Sequence, residues 1–406
     1  MKILQINCVY GSGSTGKITR DIHTTLLSNG IESFVCYGRG KDTEDKNVVK
    51  TASDMMSRIR RIESMFDGMP YRFTRWTNNR IENEIKAISP DIVHLQCING
   101  YFVDIYRLLE FLKKKKTPTI ITLHAEFMYT GGCGYALKCK QWEKGCIKCD
   151  RLKYGLGVIG LDRVKKNYEL MFNAIQGFDN LKIVGVSDWI SSRAKRSKIM
   201  RDCDVITIHN GIETQTVFHP RETNKIKEKY DLASDRFVVL SVVPNLESDL
   251  KGGKLMMELS QKMDAKKYQF VVVGAKGEGN NKPDNMIVIP YTDSQDELAE
   301  LYSAADVFVL ASKMDNYPTV CIEANSCGTP VIGFDVGGVS ETIYNGMGEV
   351  VPYGDIVELE RSISKWSKKK PDITDKVIEE VMNINSKERM VCDYINLYRG
   401  MLEDNR

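Results

Sequence analysis

Short apolar runs alternate with longer amphipathic stretches along almost the whole chain. Residues 3–7, 33–37, 92–96 and 119–124 read as buried strands, and 17–28 and 101–115 as helices between them. Runs 183–187 and 205–209 continue the pattern. A second alternation begins at 237–243 and passes through 269–274, 286–290, 306–311 and 331–334. Helices near 253–262, 294–303 and 339–345 fill its gaps. Two successive series of strand–helix–strand units predict an α/β protein of two Rossmann-like domains. The joint falls at 209–224, where Asn210-Gly211 and Pro220 punctuate the chain. That gives 1–210, 211–385 and an amphipathic tail, 386–406, with Met390, Tyr394, Leu397 and Met401 on one face.

The densest chemistry lies in DNYPTVCIEANSCGTPV. Asp315 follows an apolar strand, and Glu323 lies in a short helix that Pro318 opens and Gly328 closes, with Pro330 barring continuation. Ligands of open α/β sheets bind at the carboxyl ends of such strands. A helix start there offers N–H groups to an anion such as a diphosphate. Two carboxylates beside it suit the hydroxyls of a sugar and a ribose.

Composition narrows the field. A chain of 406 residues exceeds a comfortable single core. A hydrophobic fraction of 42% and a charged fraction of 27% are ordinary for a soluble globular protein. A net charge of +3 gives no strong field for nucleic acid. No apolar run approaches the ~20 residues of a membrane span. The start reads as a strand entering a glycine loop rather than a signal peptide. Eleven cysteines, an odd number with Cys8, Cys36, Cys97 and Cys321 inside apolar runs, suggest reduced thiols in the cytoplasm.

The acid motif, its trailing Ala-Asn-Ser-Cys-Gly-Thr-Pro and the HNGIETQTVFHP and YSAADVFVLAS segments resemble the retaining glycosyltransferases of family 4. The resemblance covers nearly the whole chain. It implies the GT-B fold: two Rossmann-like domains facing across a cleft, with the last helix crossing back to the first. It implies a nucleotide-sugar donor, with UDP as the expected nucleotide, and needs no metal or cofactor for catalysis. On it, Glu323 binds ribose, Asp315 the sugar, and His124 orients the sugar. Lys251 and the Thr319–Val320 N–H groups hold the diphosphate, with Asn316 and Tyr317 beside them. The expected acceptor is a glycan, lipid-linked if the chain meets a membrane, in cell-surface polysaccharide synthesis.

The chain departs from the family pattern at three places. Asp315 replaces a Glu, Ala125-Glu126 stands where an Asp is usual, and Val243-Pro244-Asn245-Leu246 lacks the customary Arg. A GT-B nucleotide-sugar epimerase and a non-catalytic nucleotide- or membrane-binding scaffold are the alternatives.

Other motifs stay open. Gly11, Gly13 and Gly16 fit G-x-G-x-x-G, but Ile18 stands where a P-loop needs Ser or Thr, and no acid ends the second strand. Gly13 and Gly16 either approach a ligand or allow close strand–helix packing. His124 is either a sugar contact or a satisfied strand-end histidine. Cys133, Cys139, Cys146 and Cys149, in a Cys-rich insertion at 133–149, form either a structural zinc site or free thiols. His124-x-Glu126 with Cys146-x-x-Cys149 imitates a zinc deaminase, without its proline. Asp202-Cys203-Asp204 imitates a metal-binding D-x-D but reads as a solvated strand entry. Arg58, Arg60, Arg61, Arg72, Arg75 and Arg80 interleave with Met55, Met56, Ile59, Ile62, Phe66, Phe73 and Trp76. Such a helix pair either lies on an anionic membrane or packs within its domain.

Overall fold

The computed structural model describes residues 1–72, 75–275, 282–290, 292, 294–369 and 373–404. It divides into an N-terminal unit, Met1–His209 with Met390–Arg406, and a C-terminal unit, Asn210–Arg389. Phe73 lies outside the described residues.

Among the described residues the N-terminal unit holds seven parallel strands: β1 (Lys2–Asn7), β2 (Glu32–Tyr37), β3 (Val48–Lys50), β4 (Ile92–Leu95), β5 (Thr119–Leu123), β6 (Leu181–Gly185) and β7 (Asp204–Thr207). Their order is β3-β2-β1-β4-β5-β6-β7. The described residues of the C-terminal unit hold six: β8 (Phe237–Val242), β9 (Tyr268–Val273), β10 (Met286–Ile289), β11 (Val307–Leu310), β12 (Val331–Phe334) and β13 (Gly348–Val351). These run β10-β9-β8-β11-β12-β13, again all parallel. Parallel sheets carry helices on both faces, so their strands read as unbroken apolar runs. All six residues of β9 are buried accordingly. Val239, Phe270, Val309 and Ile332 meet Met256, Leu259 and Leu359 in one core.

Two helices begin away from their expected starts. The 101–115 helix starts only at Ile105, where Asp104 accepts the Arg107 N–H at 3.1 Å. The first helix begins at Gly13 rather than 17. The helix expected at 339–345 is a single 3-10 turn, Ser340–Thr342. Asn325 Oδ1 accepts the Tyr344 N–H at 3.1 Å, and Met347 N–H turns back to Tyr344 O at 2.9 Å, sending the chain into β13.

The last helix, Lys387–Asp404, packs on the N-terminal sheet. Met390, Val391, Tyr394, Tyr398 and Met401 join Ile3, Ile18, Ile92, Ile120 and Val184. A polar core accompanies them. His94 meets the Tyr398 hydroxyl through Nδ1 at 2.8 Å and Thr122 Oγ1 through Nε2 at 2.7 Å. Tyr394 completes the set at 3.0 Å from Thr122. Burial, with a smaller contribution from His124, pushes His94 down to about 3 from 6.5.

Stability should therefore depend on pH through the histidines. The unfolded chain takes up the His94 proton near 6.5, while the folded chain refuses it until about 3. The His94 contribution is complete above pH 6.5 and shrinks as pH falls toward 3. Urea midpoints at pH 7.5 and 5 should show a drop, and a His94→Asn variant a shallower one. Equal slopes would contradict a neutral buried His94.

Candidate active site

In the C-terminal sheet the strand order reverses between β8 and β11. Loops leaving neighbouring strands part there in opposite directions and open a crevice, which makes this the position for a ligand. The loop after β8 carries Lys251. Gly252 has φ +79°, and a Cβ there would lie 2.3 Å from Ala311 O. A Cβ on Gly253 would lie 2.4 Å from Asn245 O. Lys313 N–H donates to Leu250 O at 2.9 Å, strapping this loop to the one after β11. Ser248 Oγ accepts the Lys251 N–H at 3.1 Å.

This close approach brings Lys251 Nζ to 2.7 Å from Asp315 Oδ2. The lysine and aspartate side chains are 32% and 17% exposed, so the pair sits at the rim rather than in the core. A third loop fixes the aspartate. Gly338 N–H donates to Asp315 O at 3.0 Å, and a Cβ on Gly337 would lie 1.8 Å from that oxygen. The family resemblance implies separate ligand contacts for Lys251 and Asp315; the structure joins them to each other.

The Thr319–Ser326 helix follows at once. Pro318, at φ −68°, stands at its N-cap and Gly328, at φ +84°, follows its end. No side chain caps its first turn, where half-buried Thr319 and Val320 supply backbone N–H groups. Glu323, 8% exposed, accepts the Tyr302 hydroxyl at 3.0 Å through Oε2. Burial first, and the Glu323 carboxylate second, hold the Tyr302 phenol well above its ordinary range. Asn316 and Tyr317 are buried, and burial also raises the Tyr317 phenol. Asn325 Nδ2 ties the helix to Thr329 O at 2.9 Å and Met347 O at 3.0 Å.

The N-terminal sheet has its own reversal, between β1 and β4. Gly11 and Gly13 leave β1 at φ +66° and +63°, and Gly13 has nothing within 4 Å of a Cβ. Gly16 differs, since a Cβ there would press on Val9 at 3.0 Å. Close packing thus accounts for Gly16, and backbone conformation for Gly13.

His124, half-buried after β5, sits at the end of a relay. Gln5 Nε2 donates to Thr19 O at 3.2 Å, and Gln96 Nε2 to Gln5 Oε1 at 3.2 Å. Gln96 Oε1 in turn lies 2.9 Å from His124 Nε2. That orientation of Gln96 assigns the proton to Nε2. Burial pushes His124 down to about 4, so the ring is neutral at pH 7. Neither glutamine, nor Tyr302, was singled out from sequence, although Tyr302 opens the YSAADVFVLAS landmark.

Glu126 is not a catalytic acid of the deaminase kind. Fully buried, it accepts Arg193 Nη2 at 2.6 Å and Nε at 2.8 Å, the Tyr129 hydroxyl at 2.8 Å and Ala136 N–H at 2.6 Å. Arg193 lies over the Trp142 ring at 4.4 Å and the Trp189 ring at 4.7 Å. Cys133, Cys139, Cys146 and Cys149 line one cavity, but their sulfurs are not gathered within 4.8 Å of one another. Burial pushes Cys133 up to about 11 and Cys146 up to about 12. Asp202 and Asp204 are exposed, and Asp204 pairs with Lys182.

The arginine-rich segment sorts itself by face. Arg60 points inward, to Glu63 at 2.7 Å, Asp67 at 2.9 Å and Met69 O at 2.9 Å. Arg58 and Arg61 stay exposed on the Asp54–Asp67 helix, as do Met55, Met56, Ile59, Ile62 and Phe66.

Residues 222–383 match the family described as glycosyl transferases, group 1. The chain is 21% identical to the putative colanic acid biosynthesis glycosyl transferase WcaC of Escherichia coli K12, over 99% of this chain and 100% of that protein. It is 23% identical to the N-acetyl-alpha-D-glucosaminyl L-malate synthase of Bacillus anthracis, over 50% of this chain and 55% of that one. Among solved structures, sucrose-phosphate synthase from Thermosynechococcus elongatus superposes with TM-score 0.71 at 15% identity, covering 100% of both chains. Anabaena HepE in complex with UDP does so with TM-score 0.66 at 13% identity, covering 98% of this chain and 100% of that one.

Two substitutions test the geometry of the C-terminal site. Tyr302→Phe removes the hydroxyl that Glu323 accepts and should cost about 1–3 kcal/mol in urea unfolding. Gly252→Ala meets both a forbidden φ and the Ala311 carbonyl, and should lower the melting temperature by several degrees, on the order of 2–8 °C. Wild-type stability in both would show that neither contact matters.

Proposed function

We propose that this chain, a glycosyltransferase of the group 1 type on the GT-B fold, is a retaining, metal-independent enzyme that takes a hexose or N-acetylhexosamine from a UDP-sugar. The observation that carries the reading is the convergence at the β8–β11 reversal. A lysine from the loop after β8 meets there an aspartate, an uncapped helix start and a buried glutamate, all three on the strand–loop–helix unit that begins with β11. The first turn of the helix and Lys251 supply positive potential for a diphosphate. Glu323, its second oxygen fixed by Tyr302, suits the ribose hydroxyls, and Asp315 suits the sugar.

In the transfer, the bond between the anomeric carbon and the diphosphate oxygen breaks as the acceptor oxygen bonds to that carbon on the same face. The departing diphosphate oxygen takes the acceptor proton. Charge grows on the diphosphate as it leaves, so fixed donors there favour the transition state over the bound donor. Neutral His124 keeps the sugar-orienting role that the family resemblance implies.

The acceptor is a glycan of surface polysaccharide synthesis, in keeping with the likeness to WcaC. A lipid-linked form is favoured by the Asp54–Asp67 helix. Met55, Ile59, Ile62 and Phe66 recur at helical spacing yet face solvent, with exposed Arg58 and Arg61 beside them. The main chain of Ile159 and Leu161, also exposed, is hydrogen-bonded to Met65 O at 2.8 Å and Phe66 O at 2.9 Å, which widens the apolar patch. Such a face lies in the interface of an anionic membrane. No described helix is long and apolar enough to cross one.

A thermal-shift series with UDP, GDP, ADP and dTDP-sugars tests the donor. UDP-sugars should raise the melting temperature, and Glu323→Ala should abolish the rise. No rise with any donor would overturn the reading, and a changed sugar without nucleotide release would make the protein an epimerase. For the membrane, co-sedimentation with vesicles containing phosphatidylglycerol should be lost in the Ile59→Glu/Ile62→Glu double variant. Equal sedimentation of both proteins, or of neither, would remove the lipid from the account.

A further inference from the structure

Between β5 and the Val164–Ile175 helix the chain makes a long excursion holding only short helical turns, at Glu126–Met128, Gln141–Glu143 and Leu152–Leu156. A segment of that length without strands or long helices needs another source of order. Its first half has one in the Glu126–Arg193 pair and buried Trp142, whose Nε1 donates to Cys139 O at 2.8 Å. Beyond Gly145 these anchors end, and the chain turns back on itself before Ile159 and Leu161 tie it to Met65 O and Phe66 O. Cys133, Cys139, Cys146 and Cys149 surround a cavity of about 360 Å³ at that turn.

We propose that these four cysteines hold one zinc ion, which staples the second half of the excursion to the first. The main chain already supports such a site. Thr130 Oγ1 donates to Cys133 O at 3.1 Å, Cys139 N–H to Ala136 O at 3.0 Å, and Cys149 N–H to Asp162 Oδ2 at 2.8 Å. With three of the four backbones fixed, side-chain rotation is what remains to bring the sulfurs to ligand distance, about 2.3 Å from the metal. Two sulfurs already accept backbone N–H bonds, Cys146 from Gly131 and Cys149 from Arg151. The second spans two residues past the ligand, and such outer contacts stabilise thiolates on a metal.

Charge around the cavity fits as well. Zinc with four thiolates carries two negative charges, the four thiol protons going to solvent. Lys140, Lys148 and Arg151 line the cavity, against one acid, Asp150. Arg151 also reaches Ala136 O at 3.1 Å, bridging the stretch before Cys139 to the stretch after Cys149.

Elemental analysis of the full-length protein, purified without a metal-affinity step, tests this. About one zinc per chain is expected, released by a mercurial with the loss of four thiols. Cys146→Ser should lower zinc at least about fivefold and reduce the melting temperature, while Cys392→Ser, an exposed cysteine elsewhere, should change neither. Metal-free native protein with eleven reactive thiols on denaturation, two disulfides by mass, or equimolar iron would each overturn the proposal. If Cys146→Ser does not fold, the zinc content of the wild type still decides.

Discussion

The Lys251–Asp315 pair is the contact around which the C-terminal unit's chemistry is arranged. It exists because three loops pass close to one another: Gly252 lets the Lys251 loop approach Ala311 O and Gly337 lets the third loop approach Asp315 O, neither carrying a side chain there. Reversal of strand order fixes where the loops leave the sheet, and the glycines fix how near they pass. A partly exposed ion pair of this kind adds little stability by itself. Its value lies elsewhere: an anion already occupies the lysine's first shell. On the proposed function, a diphosphate that takes over Lys251 would release the Asp315 carboxylate for neutral hydroxyls. On that reading the two groups are coupled, and binding of the diphosphate would free the group that serves the sugar.

The N-terminal unit solves a different problem, the burial of polar groups. His94, Thr122, Tyr394 and Tyr398 satisfy one another beneath the last helix, and Thr19, Gln5, Gln96 and His124 form a second line. Buried polar groups are tolerated when each has a partner, and complete networks specify one arrangement. The result is a His124 held neutral in one tautomer on a rigid strand end. The Glu126–Arg193 pair belongs to the same class. Removing one partner of such a buried pair costs on the order of 3–5 kcal/mol, which suits a keystone for an irregular segment.

Much of this was legible in the sequence, and the rest was hidden for physical reasons. Parallel strands buried on both faces must be apolar throughout, so 237–243 and 331–334 announced themselves. The Thr319–Ser326 helix was bracketed by Pro318 and Gly328, whose backbone preferences act locally. Strands β3 and β13 are half-buried edge strands without an unbroken apolar run, and a tertiary bond from Asn325 stopped the helix expected at 339–345. Tyr302 and Glu323 are 21 residues apart, Gln5 and Gln96 91, and Glu126 and Arg193 67, so no local pattern could pair them. The motif located Lys251 and Asp315, but the bond between them needed the sheet order.

The coupling of Lys251 to Asp315 can be measured directly by calorimetric titration of Asp315→Asn with UDP and with the matching UDP-sugar. If the lysine is shared, the variant should bind UDP as tightly as wild type or more tightly, and the UDP-sugar more weakly. A variant that loses UDP affinity as steeply as it loses UDP-sugar affinity would contradict the exchange and the site built on it.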